Sequence, residues 1–277
     1  MRPQNVVALL VGDPHAPELW TLKNLASVAG RLTVVSAESG SGVSARKRLR
    51  GLIREHGVIR VASRVLAGKL IGKLQEHREL EELERLFDGE HLRDWWAHCG
   101  ISPIRVPHLN HENARSVIAA LEPDIVVRVS GGILKREIFG LACTAALNIH
   151  HGVAPRIRGM WSIPWGIVEG RTDWIGATVH LIDDGIDTGC VLWRGSPQIA
   201  PGDTATRLFF RSHLEAVGAL VRVIEIYTSG DKPATCADSE AEASVYRSAP
   251  GLAAWIRFLY LLRGRRSPAI LAGALKC

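Results

Sequence analysis

The chain has 277 residues, of which 47% are hydrophobic and 22% charged. This usage excludes wholesale disorder and allows one sizeable α/β domain, with or without an appendage. The net charge is +6, and the five cysteines (Cys99, Cys143, Cys190, Cys236 and Cys277) include no close pair. That spacing argues against a disulfide framework or a thiolate metal site, and the expected setting is a reducing cytoplasm.

In chain order, Val6 to Val11 is apolar but stops at Gly12-Asp13-Pro14. It is too short for a signal core and reads as a first buried strand. Glu18 to Ala29 has helical spacing, and Leu32 to Ser36 reads as a second strand, so the opening is β-α-β and predicts a parallel sheet. Ser39-Gly40-Ser41-Gly42 invites a phosphate-loop reading, but no Lys-Ser/Thr follows in register, which leaves a flexible turn.

From Ser44 to His98 the chain becomes charged and helix-prone, with Leu49, Leu52 and Ile53, then Leu80, Leu83 and Leu86, on helical stripes. We read residues 44–98 as a helical insertion. Its basic cluster (Arg46, Lys47, Arg48, Arg50, Arg54) and a second one at Arg263, Arg265 and Arg266 are either solvated helix faces or anion contacts. No stretch is long enough to span a bilayer.

The α/β pattern returns with a helix over His111 to Leu121, a strand over Ile125 to Val129, and further strands at Ala145 to Ile149 and Gly176 to Ile182. A long amphipathic helix covers Asp203 to Tyr227. A polar stretch then runs through Ser244, and the tail from Tyr246 is basic and predicted helical. The expected architecture is an α/β, Rossmann-like, mostly parallel sheet flanked by helices. Residues 1–230 form the domain, and residues 231–277 form a linker and helical tail.

The stretch from Leu147 to Leu192 carries the chemistry. Asn148 and His150 are two apart, so on a strand they share a side, at a point where strand gives way to a Gly- and Pro-bearing loop. Ligands of open α/β sheets bind at such strand ends. An amide donor beside an imidazole can stabilise an oxyanion and move a proton, and Asp187 adds a carboxylate on a second loop, Asp183 to Gly189. Asp187 alone would read as a turn residue. No zinc spacing is present, so no metal is expected.

These residues, with Pro155, Arg158-Gly159, Gly176, His180 and Asp184-Gly185-Ile186-Asp187-Thr188-Gly189, occur in order in a pattern that resembles the folate-dependent formyltransferases. That family acts on methionyl-tRNA, glycinamide ribonucleotide and sugar amines. The resemblance runs from about Val106 to Tyr227. It implies catalytic roles for Asn148, His150 and Asp187. It also implies that Gly131, Gly132, Ile133, Leu134, Asp183, Asp184 and Gly185 bind the co-substrate, 10-formyltetrahydrofolate. In the implied mechanism an amine attacks the formyl carbon, Asn148 and a protonated His150 donate to the resulting oxyanion, and Asp187 supports His150 and accepts the amine's proton.

The acceptor is expected to meet His151, Arg158, Trp161 and His180. His151 stands where the family has proline and is either a substrate contact or loop structure; Arg158 is either an anion contact or a solvated loop residue. Trp161, Trp165 and Trp174 are either cleft or core. Val11 to Glu18 lacks the phosphate loop of the glycinamide ribonucleotide enzymes, and the residues after Gly230 do not resemble the β-barrel of the tRNA enzymes. By elimination the expected acceptor is a small-molecule amine, an amino sugar or sugar nucleotide, with tRNA unlikely and a homodimer allowed. The alternatives are a methionyl-tRNA-type enzyme, a formyltetrahydrofolate hydrolase, and a non-catalytic folate- or RNA-binding module.

Overall fold

In the computed structural model the described residues are 4–38, 54, 58, 73–200, 203–235 and 244–263. The expected turn at Ser39 to Gly42, the stripe at Leu49, Leu52 and Ile53, most of the first basic cluster, and Arg265 and Arg266 lie outside them.

A seven-stranded sheet runs in the order β3-β2-β1-β4-β5-β7-β8. Its strands are β1 (Asn5–Val11), β2 (Arg31–Ala37), β3 (Ile104–Val106), β4 (Ile125–Arg128), β5 (Ala145–His150), β7 (Ala177–Leu181) and β8 (Val191–Gly195). The β3 to β5 side is parallel, and β7 pairs antiparallel with both β5 and β8. A separate pair joins β6 (Ile157–Gly159) to β9 (Val245–Arg247) in parallel.

The sheet is covered on both faces because its central strands are apolar on both sides. On β1, Val6, Ala8 and Leu10 pack with Leu22 and Leu25 of α1 (Ala16–Val28) and with Leu220 and Ile224 of a long helix, Ala205–Ser229. The alternate residues Val7 and Leu9 pack with Ile118 of the helix Glu112–Ala120 and Ile138 of the helix Arg136–Phe139. In chain order the helices are α1, α2 (Lys73–Leu86), α3 (Gly89–His98), α4 (Glu112–Ala120), α5 (Arg136–Phe139), α6 (Ser162–Glu169), α7 (Ala205–Ser229) and α8 (Leu252–Arg263).

Helix α7 starts where the Thr204 hydroxyl accepts from the Arg207 N–H (3.1 Å). It ends at Gly230, whose φ of +89° suits glycine. Of the region expected as a helical insertion, α2 and α3 are described, and both lie between β2 and β3.

The tail departs from expectation at its start. Tyr246 is not helical but lies in β9, because the backbone of β6 offers it a partner: Arg158 is registered opposite Tyr246 and Gly159 opposite Arg247. Only from Leu252 does the tail become helical, with Trp255 and Phe258 buried against Ile163 and Leu208. Among the described residues no helix is long and apolar enough to cross a membrane.

Candidate active site

The sheet reverses direction of growth at β1, with β2 on one side and β4 on the other. Past the carboxyl ends of β4 and β5, next to that switch point, lies a cleft of about 540 Å³. Arg128, Asn148, His150, His180, Asp187 and the Gly131 to Leu134 loop line it. Gly131 holds a φ of +114°, and a Cβ there would come within 2.9 Å of the Val11 side chain, so glycine lets this loop close over the end of β1.

Asn148 is 2% exposed and stands opposite His180 in the β5–β7 register. Its carboxamide is held at both ends. The oxygen accepts from Arg128 Nε at 2.8 Å, and Nδ2 lies 2.9 Å from His180 Nε2. His180 Nδ1 sits 2.7 Å from the Leu181 carbonyl oxygen and Nε2 3.6 Å from Asp187 Oδ1; in the neutral ring with its proton on Nδ1, Nε2 accepts from Asn148. Together these contacts fix the amide with its nitrogen toward His180. One N–H is spent there; the second has no hydrogen-bond partner among the described residues.

His150 faces two acceptors. Its Nδ1 is 3.3 Å from Asp187 Oδ2, and its Nε2 is 3.1 Å from the Ile157 carbonyl oxygen. Burial pushes its pKa below the ordinary 6.5, more than the Asp187 charge raises it. Burial thus favours the neutral ring at rest, while the two acceptors would satisfy both N–H groups of the protonated form expected from the sequence.

Asp187 lies at φ +51° in a glycine-punctuated loop, with its side chain 9% exposed. Burial alone would raise its carboxyl, but the His180 and His150 imidazoles and the Gly159 N–H (2.9 Å) hold it well below the usual carboxylate range.

Arg128 carries no signal in the site motifs, yet the structure puts it at their centre. Besides Asn148 it donates to the carbonyls of Gly131 (3.1 Å) and Gly132 (3.0 Å), so one guanidinium ties the amide to the cleft loop. A single charge at the end of the apolar run Ile125 to Val129 was the available clue. Arg128 acts through Asn148 and is a positioning residue. Replacing it by Met should lower kcat about 10- to 100-fold through loss of charge-assisted hydrogen bonds, with donor KM within about twofold. An equal rise in KM would show a binding role instead.

The expected co-substrate residues divide. Gly131, Gly132, Ile133, Leu134, Asp183 and Gly185 line the cleft. Asp184 does not: it is exposed and ion-paired with Arg136. Asp183 shapes its loop by accepting from the Gly185 N–H (3.1 Å) and the Thr188 hydroxyl (2.7 Å).

The four residues expected to meet the acceptor do not share a cavity. His180 lies in the main cleft, whereas Arg158 borders a small pocket of about 200 Å³ and donates to Ser244 Oγ at 2.7 Å. His151 and Trp161 line a third, largely apolar cavity of about 320 Å³ with Phe209, and Met160 is a wall of both this cavity and the main cleft. The split follows from strand alternation: His150 points into the cleft, so its neighbour His151 points away and stacks on His213, 2.9 Å from its Nδ1. Trp174 belongs to the core, and Trp165 donates its indole N–H to the Ser248 carbonyl at 2.9 Å.

His150, His151 and His213 are all held below their ordinary pKa by burial, His213 to about 4. The unfolded chain therefore binds more protons below pH 6.5, and folding stability falls as pH drops from about 6.5 toward 4. The displacement at His213 alone corresponds to roughly 3 kcal/mol. Urea midpoints measured at pH 7.5 and 4.5 should show this loss, and His213→Gln should flatten it. Equal midpoints would contradict the buried neutral histidines.

Residues 90–224, which hold the whole cluster, match the family model described as formyl transferase. This segment belongs to the formyl transferase family. Similar curated proteins are the methionyl-tRNA formyltransferases of Desulfotalea psychrophila and Anaeromyxobacter dehalogenans. The first is 31% identical over 57% of this chain and 50% of that protein, and the second 35% identical over 49% and 44%. The chain thus spans about half the length of the curated relatives it matches.

Among solved structures, the formyl transferase fold is shared with a phosphoribosylglycinamide formyltransferase from Anaplasma phagocytophilum. The TM-score is 0.54 and the identity 16%, over 90% of this chain and all of that one. A 4-N formyltransferase from Francisella tularensis gives a TM-score of 0.52 at 15% identity, over 88% of this chain and 76% of that one.

Proposed function

We propose that the protein transfers a formyl group from 10-formyltetrahydrofolate to a primary amine. One observation carries the proposal: an amide held with an N–H to spare, a buried neutral imidazole and an ionised carboxylate converge on a single cleft. The cleft also suits a ring-bearing donor, with Ile133, Leu134, Met160 and Ile182 as apolar walls and a few convergent polar groups. The Gly131 to Leu134 loop and the Asp183 to Gly185 turn would hold the donor, which supplies an activated formyl carbon.

The chain's own groups then have separate tasks. As the amine nitrogen bonds to the formyl carbon, negative charge gathers on the formyl oxygen, and the free N–H of Asn148 stabilises it. The proton leaving the attacking nitrogen passes to the Asp187–His150 pair, entering at the carboxylate that lines the cleft, and Asp187 stabilises the imidazolium that forms when the ring takes it. Collapse of the intermediate breaks the bond to the donor nitrogen, which recovers a proton from His150. The acceptor would occupy the His151–Trp161 cavity, on the other side of Met160 from the cleft.

The acceptor itself has two readings. An amino sugar or sugar nucleotide follows from the sequence-based elimination. A methionyl-tRNA-type acceptor is favoured by the relatives matched in sequence, so the expectation against tRNA is withdrawn. One assay separates them: the protein is given formyl-labelled donor with a panel of amino sugars, sugar nucleotides and methionyl-tRNA, and label is followed into N-formyl product. Label in formate alone, without an acceptor, would identify a hydrolase. No label transfer to any amine, with donor intact, would overturn the proposal.

A further inference from the structure

We propose that Tyr246, supplied by β9 from outside the family-matched segment, is a donor-binding residue that packs on the aromatic part of the formyl donor. The inference rests on the reading of the 540 Å³ cleft as the donor site. Among the described residues, six large hydrophobic side chains are markedly exposed. Three of them, Ile133 (58%), Met160 (55%) and Tyr246 (51%), line this one cleft. Apolar groups gathered at the mouth of a polar site are unfavourable in water alone and mark a surface that something apolar covers.

The strand beneath Tyr246 is held firmly. The Val245 N–H donates to the Arg156 carbonyl at 3.0 Å, and the Met160 N–H to the Arg247 carbonyl at 2.8 Å. Arg247 grips both carboxylate oxygens of Glu169 (2.9 and 3.0 Å) and lies over the Trp165 ring at 5.6 Å. Alternation along the strand sends Tyr246 to the opposite side from Arg247, toward the cleft.

Gly159 sets how close this strand comes. A Cβ on Gly159 would collide with the Arg247 carbonyl oxygen and come within 2.9 Å of the Tyr246 ring. The same glycine donates its N–H to Asp187. One residue therefore fixes the Tyr246 strand relative to the carboxylate, and a rigid backbone presents a half-exposed aromatic ring at a set position. Such a ring favours a planar aromatic partner.

The test is a titration with 5-formyltetrahydrofolate, backed by donor and acceptor kinetics, for wild type, Tyr246→Ala, Tyr246→Phe and Tyr260→Ala. Tyr260 is an exposed aromatic control outside the cleft. The proposal expects Tyr246→Ala to weaken binding about tenfold and to raise donor KM alike, with kcat within about twofold, Tyr246→Phe near wild type and Tyr260→Ala unchanged. Wild-type binding that Tyr246→Ala leaves intact would overturn this inference alone. So would a fall in kcat that Tyr246→Phe does not rescue, since that marks a structural role. Failure of the wild type itself to bind the folate would overturn the donor-site reading on which it rests.

Discussion

Asn148→Ala should lower kcat for formyl transfer about 10²- to 10³-fold while leaving donor KM within a few-fold. The size follows from what the amide does. It has been turned so that one N–H meets His180 and the other is left for the oxyanion, at no reorganisation cost during reaction. Because Asn148 is 2% exposed and satisfies Arg128 and His180, its removal also strands two polar partners. Asn148→Asp serves as the companion variant. It keeps the shape and the Arg128 contact but removes the N–H donor, so it should lose kcat by a similar factor, with some loss of thermal stability because the His180 contact goes as well. Retention of near-normal kcat in Asn148→Asp would show that the amide donor does not stabilise the transition state.

Asp187→Asn should cost about 10²- to 10⁴-fold in kcat, the range for loss of a general acid–base partner. The backbone is expected to tolerate it, since Asn adopts positive φ readily and its oxygen can still accept from the Gly159 N–H. Two effects combine. The imidazolium of His150 loses its counter-charge, and the Asp187 contribution that opposes burial disappears. Wild-type rates should therefore fall as pH drops below 6.5 through the depressed His150 pKa, and the residual activity of Asp187→Asn should fall at still lower pH. A pH–rate profile for both proteins reads this directly. An unshifted acid limb would separate Asp187 from His150.

How much of this was legible in the sequence depended on the range of the interactions. Asn148 and His150 share a strand face by simple alternation, so their convergence could be read from a spacing of two. Asp187 needed only its motif, because the turn that gives it positive φ is local. The β-α-β opening and the long α7 were likewise visible as periodic apolar runs. The protonation of His150 was not, since it depends on burial that assembles only in the folded chain. Nor was the division of His151, Arg158, Trp161 and His180 among three cavities. Alternation separates His151 from His150, but where each residue lands depends on α7 and β9. Tyr246 reads as helical from sequence because its strand pairing lies across the fold, with β6, and leaves no local mark in three residues. Arg128 was overlooked for a related reason. Its partners are the amide on the next strand and two loop carbonyls, and only the isolated charge hinted at them.

The most direct measurement is a structure of the protein with a bound folate carrying the formyl group or its stable analogue. The formyl carbon should lie beside Asn148 Nδ2 and His150, with the donor ring between the Gly131 to Leu134 loop and Tyr246. A folate seated instead in the His151–Trp161 cavity, or with its formyl group turned away from both Asn148 and His150, would contradict the account.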